Sequence, residues 1–390
     1  MKRLAVAIVA LIITSICVFA QSDTTVYFAN IYAGPKIYEL DGHSAIIVVT
    51  PDRPPVAYNY GVFDFSSPNF VYRFVKGETD YKAVEEWAAP FLNAYEAGGR
   101  RIVLHELNLD SAQKAELLRL LSENVRPENA TYRYNYVKDN CATRPLDIVE
   151  KAAGQKIELA PSVFEAESAW PVTYRSIMRH NHRNYPWYQF GIDIALGSGI
   201  DYPLSRREMA FAPVVLDGMM KESTIGGQPL VLESLDNGEQ PGAAVDSPTP
   251  WYLSPLAVCW TFFTITLIIT VRDLRRRKVT RWFDAAYFAV LGLTGCLLTF
   301  LIFVSVHEAT SPNWLYVWLN PLCLLPVILI WIKKAQKFLV WYQMTNFAVL
   351  FVMCAAWPWI PQSANAAFAP LVLAEMMRSF SYVFITKCYK

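Results

Sequence analysis

Charge of either sign is scarce in this 390-residue chain: 18% of residues are charged against 54% hydrophobic, and the formal net charge is +1. That balance is too apolar for one ordinary soluble domain, and so small a net charge gives no reason to expect a nucleic-acid partner. Histidine is rarer still, at five residues, and cysteine numbers seven. Cys17 falls in an N-terminal apolar run, while Cys259, Cys296, Cys323, Cys354 and Cys388 fall in or beside apolar stretches beyond residue 251. Cys141 is therefore the only cysteine of the region between, with no local partner for a disulfide. Neither Cys141 nor His43 has the companion ligands of a metal site, so no metal and no cofactor is expected.

What is present divides the chain. Residues 1–20 have the form of a secretory signal: Lys2 and Arg3, an apolar run to Phe19, and Ala20 before Gln21. An uncleaved anchor helix is the competing reading, and either one exports the residues after it. Residues 21–225 read as an α+β domain, residues 226–250 as a linker rich in Gly, Pro, Glu and Asp, and residues 251–390 as a membrane domain. Five apolar spans are expected there, at 254–271, 283–306, 313–332, 339–359 and 365–385, each near the roughly 20 residues a bilayer demands. Arg272, Arg275–Arg277, Lys278 and Arg281 separate the first two spans. Lys333, Lys334 and Lys337 separate the third and fourth, and Lys387 and Lys390 close the chain. The remaining connections carry no Lys or Arg, so the basic loops and the C-terminus are expected in the cytoplasm and the α+β domain outside, on a multi-pass protein of the inner membrane.

Within the exported domain, residues 24–34, 45–50, 56–65 and 101–109 read as strands. Residues 81–97 and 111–125 read as helices, the second with Ser111 as N-cap. Residues 132–136 alternate aromatic and polar side chains as a strand does, and a helix continues from there to Gly154. Cys141 thus falls at a helix start, where unpaired N–H groups and the helix dipole favour a thiolate. A lone structural cysteine is the alternative. A thiolate nucleophile needs a base, usually histidine. His105 alternates with Val103 and Leu107 as a core residue would, and His180 and His182 sit in a basic segment read as solvated. His43, after Asp41-Gly42, opens a β-branched run, where a strand edge can present it to a cleft.

The order His then Asn-Cys at a helix start resembles the circularly permuted papain-like fold of NlpC-type peptidases and lecithin:retinol acyltransferase-like enzymes. More specifically, residues 24–215 resemble the periplasmic domain of the Lnb lipoprotein N-acyltransferases of Bacteroides-type bacteria. The matching stretches are Gly42-His43-Ser44, residues 58–65, Gly99-Arg100-Arg101, residues 140–143, and Gly191-Ile192-Asp193 with Gly197 and Asp201. His307 with Asn313 and Asn320-Pro321 extends the resemblance into the membrane domain. It implies a permuted papain-like domain followed by an all-α five-helix membrane domain, and a two-step reaction. Cys141, deprotonated by His43, would take an acyl chain from a phospholipid as a thioester and pass it to the α-amino group of a diacylglyceryl-cysteine lipoprotein. In related folds the third catalytic group lies on the strand after the histidine, which leaves Asn59 and Asp64, on opposite strand faces. Asn140 is expected to orient the turn, and the backbone N–H of Cys141 to meet the oxyanion.

Arg378 lies inside an apolar span, where a charge is costly and a functional role is the default; Glu375, three residues earlier, is its expected partner. Arg378, His307 and Asp193 are candidate substrate-binding residues. A membrane-anchored cysteine hydrolase acting on peptidoglycan or phospholipid, and a non-enzymatic envelope assembly or sensor protein, are the rival readings.

Overall fold

The computed structural model describes residues 24–167, 171–238 and 248–388. The signal segment and Cys17 lie outside these, as do residues 239–247 of the expected linker. Residues 24–182 and 203–238 form one compact unit; residues 183–202 and 248–388 form another. The exported domain is therefore not the continuous block 21–225: residues 183–202 belong with the membrane helices.

The first unit is built on an antiparallel sheet. Its strands are β1 (Thr25–Ile31), β2 (His43–Thr50), β3 (Arg53–Val62), β4 (Asp80–Trp87), β5 (Ile102–Leu107) and β6 (Thr131–Arg133). Helices α1 (Phe70–Lys76), α2 (Ala88–Ala97), α3 (Ser111–Asn124) and α4 (Thr143–Ala153) connect or follow them. A small second sheet joins β7 (Ile157–Glu158), β8 (Thr224–Ile225) and β9 (Gln228–Pro229), and β10 (Val231–Asp236) completes the large one in the order β10-β5-β1-β2-β3-β4-β6. Strands β1 and β2 are buried on both faces, which is why they read as continuous apolar runs rather than alternating ones. Tyr27, Ala29 and Ile31 of β1 with Ala45, Ile47 and Val49 of β2 form a core against Phe91 and Leu92 of α2. The opposite face carries Asn30, whose amide reaches Met220 of the helix Pro213–Met220.

Three sequence expectations fail here. Residues 81–97 are not one helix: 81–87 belong to β4, because hydrogen bonding to β3 outweighs the helix-favouring Ala and Glu content. Helix α2 then starts at Ala88, with Pro90 in its first turn, where a missing N–H costs nothing. The stretch from Gly226, read as a linker, instead supplies β9 and β10, and Arg101 binds Asp236 through Nη2 at 2.6 Å. The N-cap of α3 is Asp110 rather than Ser111, closing a capping box with Gln113.

In the second unit, α5 (Pro255–Arg276), α6 (Arg281–Phe303), α7 (Gln336–Ala356) and α8 (Phe368–Cys388) lie in four helical spans long and apolar enough to cross a bilayer among the described residues. The expected span at 313–332 is different. It runs as 3-10 turns, Trp314–Val317 and Pro321–Cys323, into the short helix Leu324–Leu329. Pro321 and Pro326 lack the donors of a continuous helix, and Asn313 and Asn320 cap the turns instead. Such backbone is tolerated at membrane depth only inside protein. Leu315, Trp318, Leu319 and Cys323 are accordingly buried. Gly295 of α6 makes the room, since a Cβ there would lie 2.3 Å from the Asn320 carbonyl carbon.

Candidate active site

Cys141 sits in the turn between the Asn135–Asp139 bridge and α4. Asn140 builds that turn. Its Oδ1 accepts the N–H groups of Ala142 (2.8 Å) and Thr143 (3.0 Å), and its Nδ2 donates to the carbonyls of Tyr136 (2.7 Å) and Phe211 (2.8 Å). The Thr143 hydroxyl also donates to Oδ1 at 3.3 Å, so the Asn140 amide is fully engaged in shaping the turn that carries Cys141. The backbone N–H groups of Ser44 and of Cys141 itself and the Tyr134 hydroxyl all favour the thiolate form of Cys141. Gly61 lets β3 pass this close. Its φ of +85° suits glycine, and a Cβ would lie 3.6 Å from Cys141 Cβ and 3.4 Å from the Tyr134 ring.

His43 opens β2, one residue before Ser44, whose backbone N–H favours the Cys141 thiolate. Its ring stacks on Tyr95 (centroids 5.8 Å) and lies beside Phe91 (6.3 Å), both on α2. Nε2 is 2.7 Å from Asn59 Oδ1, and Asn59 Nδ2 donates to Glu86 Oε1 at 2.9 Å. A carboxylate only accepts, so Glu86 fixes the Asn59 amide with its oxygen toward His43. His43 Nε2 must then carry the proton, leaving the lone pair on Nδ1.

Burial dominates the electrostatics. It pushes the Cys141 thiol up to about 11, against the two backbone N–H groups; the nearby Asp41 charge adds to the rise. Burial also pulls His43 down to about 4, helped by the Arg100 charge and opposed by the bond to Asn59. The resting pair is therefore neutral thiol and neutral imidazole, not the thiolate that the helix start suggested: desolvation outweighs the helix terminus. Burial works against the Asp41 carboxylate too, yet bonds from His182, Tyr136 and Asn181 (2.7 Å) hold it below the usual range. His182, read from sequence as solvated, is in fact buried against this carboxylate. His105 is buried as expected, within 2.8 Å of both Asp217 and Ser234.

The remaining candidates separate cleanly. Asp64 lies exposed beyond the end of β3, with its carboxylate engaged by the Ser66 N–H (2.8 Å) and hydroxyl (2.7 Å), so Asn59 alone reaches His43. Arg378 is fully buried, and Glu375 is not its partner. Its guanidinium donates to Asp284 (2.5 Å), Asp273 (2.8 Å) and Thr270 (2.9 Å), which is a structural arrangement rather than an open substrate site. Asp193 is buried and accepts from Asn365 Nδ2 at 2.9 Å. The His307 carbonyl accepts the Thr310 hydroxyl at 2.8 Å, within the loop that carries Asn313. Gly197 N–H binds the Ala309 carbonyl (2.8 Å), Ser198 N–H binds the Pro312 carbonyl (2.7 Å), and Asn313 Nδ2 binds the Ile194 carbonyl (2.9 Å). Asp193, Gly197, His307 and Asn313 thus belong to one polar assembly of the second unit, while Cys141, His43 and Asn59 belong to the first.

Sequence reasoning missed Glu86, Tyr95, Tyr134 and Asp41. Period-2 alternation at Tyr81, Lys82 and Ala83 was the available signal for the strand that carries Glu86.

Residues 19–180 match the Lnb N-terminal periplasmic domain, and residues 247–390 match the Lnb transmembrane domain. The chain belongs to the Lnb family. Membership makes it a membrane protein with a periplasmic N-terminal part, and an acyltransferase by class. The catalytic candidates fall inside the first Lnb match, and the Arg378 cluster and His307 inside the second. Residues 181–246 lie between the two matches and include the 183–202 segment that joins the membrane helices. No curated protein and no solved structure matches the chain.

Proposed function

We propose that this Lnb chain is a cysteine-dependent lipoprotein N-acyltransferase whose site is the Cys141–His43–Asn59 set on a permuted papain-like domain. The observation that carries the reading is the Glu86–Asn59–His43 hydrogen-bond chain, which leaves a lone pair on His43 Nδ1, one residue from Ser44, whose N–H favours the Cys141 thiolate. In the first step, Cys141 Sγ bonds to the ester carbonyl carbon of a phospholipid as its proton moves to His43 Nδ1. The ester C–O bond breaks, and His43 returns that proton to the lysophospholipid alkoxide. In the second step, the free α-amino nitrogen of a diacylglyceryl-cysteine lipoprotein attacks the thioester. The C–S bond breaks, an amide forms, and the amine proton passes through His43 to the thiolate.

A resting neutral pair suits this sequence, because the thiol ionises only as the carbonyl arrives. The Cys141 and Ser44 N–H groups then serve the oxyanion. Tyr134, Tyr81 and Phe63 form a run of stacked or tilted rings, with centroids 4.2 and 5.1 Å apart, leading from the thiol toward the exposed Phe65. Such a lining favours an acyl chain and disfavours the water that would hydrolyse a thioester.

We read Trp314–Leu329 as a fifth, broken crossing. The basic stretches 272–281 and 333–337 face the same side only if the chain between them crosses twice, once as α6 and once here. That returns the C-terminus to the cytoplasm and keeps Cys141 in the periplasm. The test is intact-protein mass spectrometry after incubation with phospholipid, with a diacylated lipopeptide added afterwards. The expected result is an acyl adduct on Cys141, removable by hydroxylamine and discharged as lipopeptide amide. Release of free fatty acid alone would identify a hydrolase, and an unmodified Cys141 would leave a non-enzymatic envelope protein.

A further inference from the structure

Arg100 is a cation in an unusual position. It follows α2 and leads into β5, and it is only 4% exposed. Its Nε donates to the Tyr32 carbonyl at 2.7 Å, and its guanidinium lies over the Tyr95 ring, 4.8 Å from the centroid. Tyr95 is the ring on which the His43 imidazole stacks, so one aromatic side chain touches both the buried cation and the base. The nearest carboxylate, Glu39, is 3.9 Å from Nη1, too long for a good charge-assisted hydrogen bond, and Glu39 also engages Lys36. Nη2 is buried with no hydrogen-bond partner among the described residues.

A buried guanidinium with an empty donor is expensive, and burial does lower its affinity for its own proton. The contrast with Arg378, held by two carboxylates and a hydroxyl, shows what a purely structural buried arginine looks like in the same chain. The Arg100 charge is also felt by both His43 and Cys141. A planar donor with an unused N–H, one aromatic ring away from the base, is suited to an oxyanion of fixed charge, phosphate above all.

We propose that Arg100 is the subsite for the phosphodiester of the acyl donor, holding the lipid headgroup by charge while its ester carbonyl reaches Cys141. The inference rests on the acyl-transfer reading above. It also gives the site a means to reject neutral glycerides, which offer the same ester without the anion.

The experiment compares acylation of Cys141 in the full-length protein by phosphatidylglycerol and by diacylglycerol with matched chains, in mixed micelles. The wild type should prefer the phospholipid by about 10- to 100-fold in kcat/KM, the worth of one or two hydrogen bonds to a charged group. In Arg100→Gln that ratio should collapse toward one, chiefly through KM for the phospholipid, with Arg100→Lys intermediate. A ratio unchanged in Arg100→Gln, whether both rates fall or neither does, would overturn the assignment. The equal-fall pattern would place the guanidinium at the reaction oxyanion or in the fold instead. Should the variants fold poorly, the wild type still decides, because equal use of both donors overturns the proposal without any mutation. Absence of an adduct from either donor is a separate result that removes the acyl-transfer reading itself, and this subsite with it.

Discussion

The Arg378 cluster of the second unit and the Cys141 site of the first handle their polar and charged groups in opposite ways. In the second unit Arg378 is surrounded: Asp273, Asp284 and Thr270 take its donors, and Thr280 takes the remaining capacity of Asp273 through its N–H and hydroxyl. Around Cys141 the groups form chains with open ends. Glu86, Asn59 and His43 terminate in a bare Nδ1, Arg100 terminates in an unused Nη2, and Cys141 holds its proton for lack of solvation. A closed network resists change and holds helices together. An open one holds reactive capacity that a substrate can complete.

The largest expected effects set the two networks against each other. Cys141→Ala and His43→Ala should each cut acyl transfer by about 10³-fold or more, leaving membrane protein level and thermal transition close to wild type. Activity assays paired with quantitative blots check this, and substantial residual transfer would break the comparison. Arg378→Ala should do the reverse, unfolding rather than disarming. Stranding two carboxylates inside the helices should cost about 3–5 kcal/mol, read as a lower transition temperature in detergent. Combining Arg378→Met with Asp273→Asn and Asp284→Asn should recover much of that stability, since no uncompensated charge remains.

Smaller effects sharpen the picture within the site. Asn59→Ala should lower transfer by about 10- to 100-fold by freeing the His43 ring, whereas Asp64→Ala should leave it within about twofold. Matching losses at both positions would show that the hydrogen-bond chain is not what selects Asn59. The pH dependence of alkylation by iodoacetamide tests the neutral pair. With the thiol at about 11, the thiolate fraction at pH 7 is on the order of 10⁻⁴, so reactivity should climb about tenfold per unit toward a midpoint near 11. A preformed thiolate–imidazolium pair would instead react at a nearly constant rate from mildly acidic pH upward.

How much of this was legible depended on how local each signal was. Cys141 and His43 stood out because their residue types are scarce and each adjoins a readable strand or helix. Asn59 against Asp64 was not resolvable, because a register irregularity between Val48 and Thr50 separates the sequence alternation from the true pairing. Glu86 was hidden by a helix-like composition that cross-strand hydrogen bonding overrode. Helices α5 to α8 were visible from hydropathy, but the partners of Arg378 were not, since Asp273 and Asp284 lie on other helices, about a hundred residues earlier in the chain. The segment 183–202 looked like part of the exported domain until its bonds to residues 309–313 assigned it to the membrane helices.

By itself, the sequence determined the solvent each part of the chain occupies, the export of its first half, and the thiol and imidazole on which chemistry would rest. Apolar content, basic loops and residue rarity are additive along a chain and survive without coordinates. Tertiary structure alone decided which amide orients the imidazole, that burial keeps the thiol protonated, and that one buried arginine is sated while another is not. Those outcomes depend on distances between atoms far apart in the chain and on how much water is shut out, quantities that exist only once the backbone has closed around them.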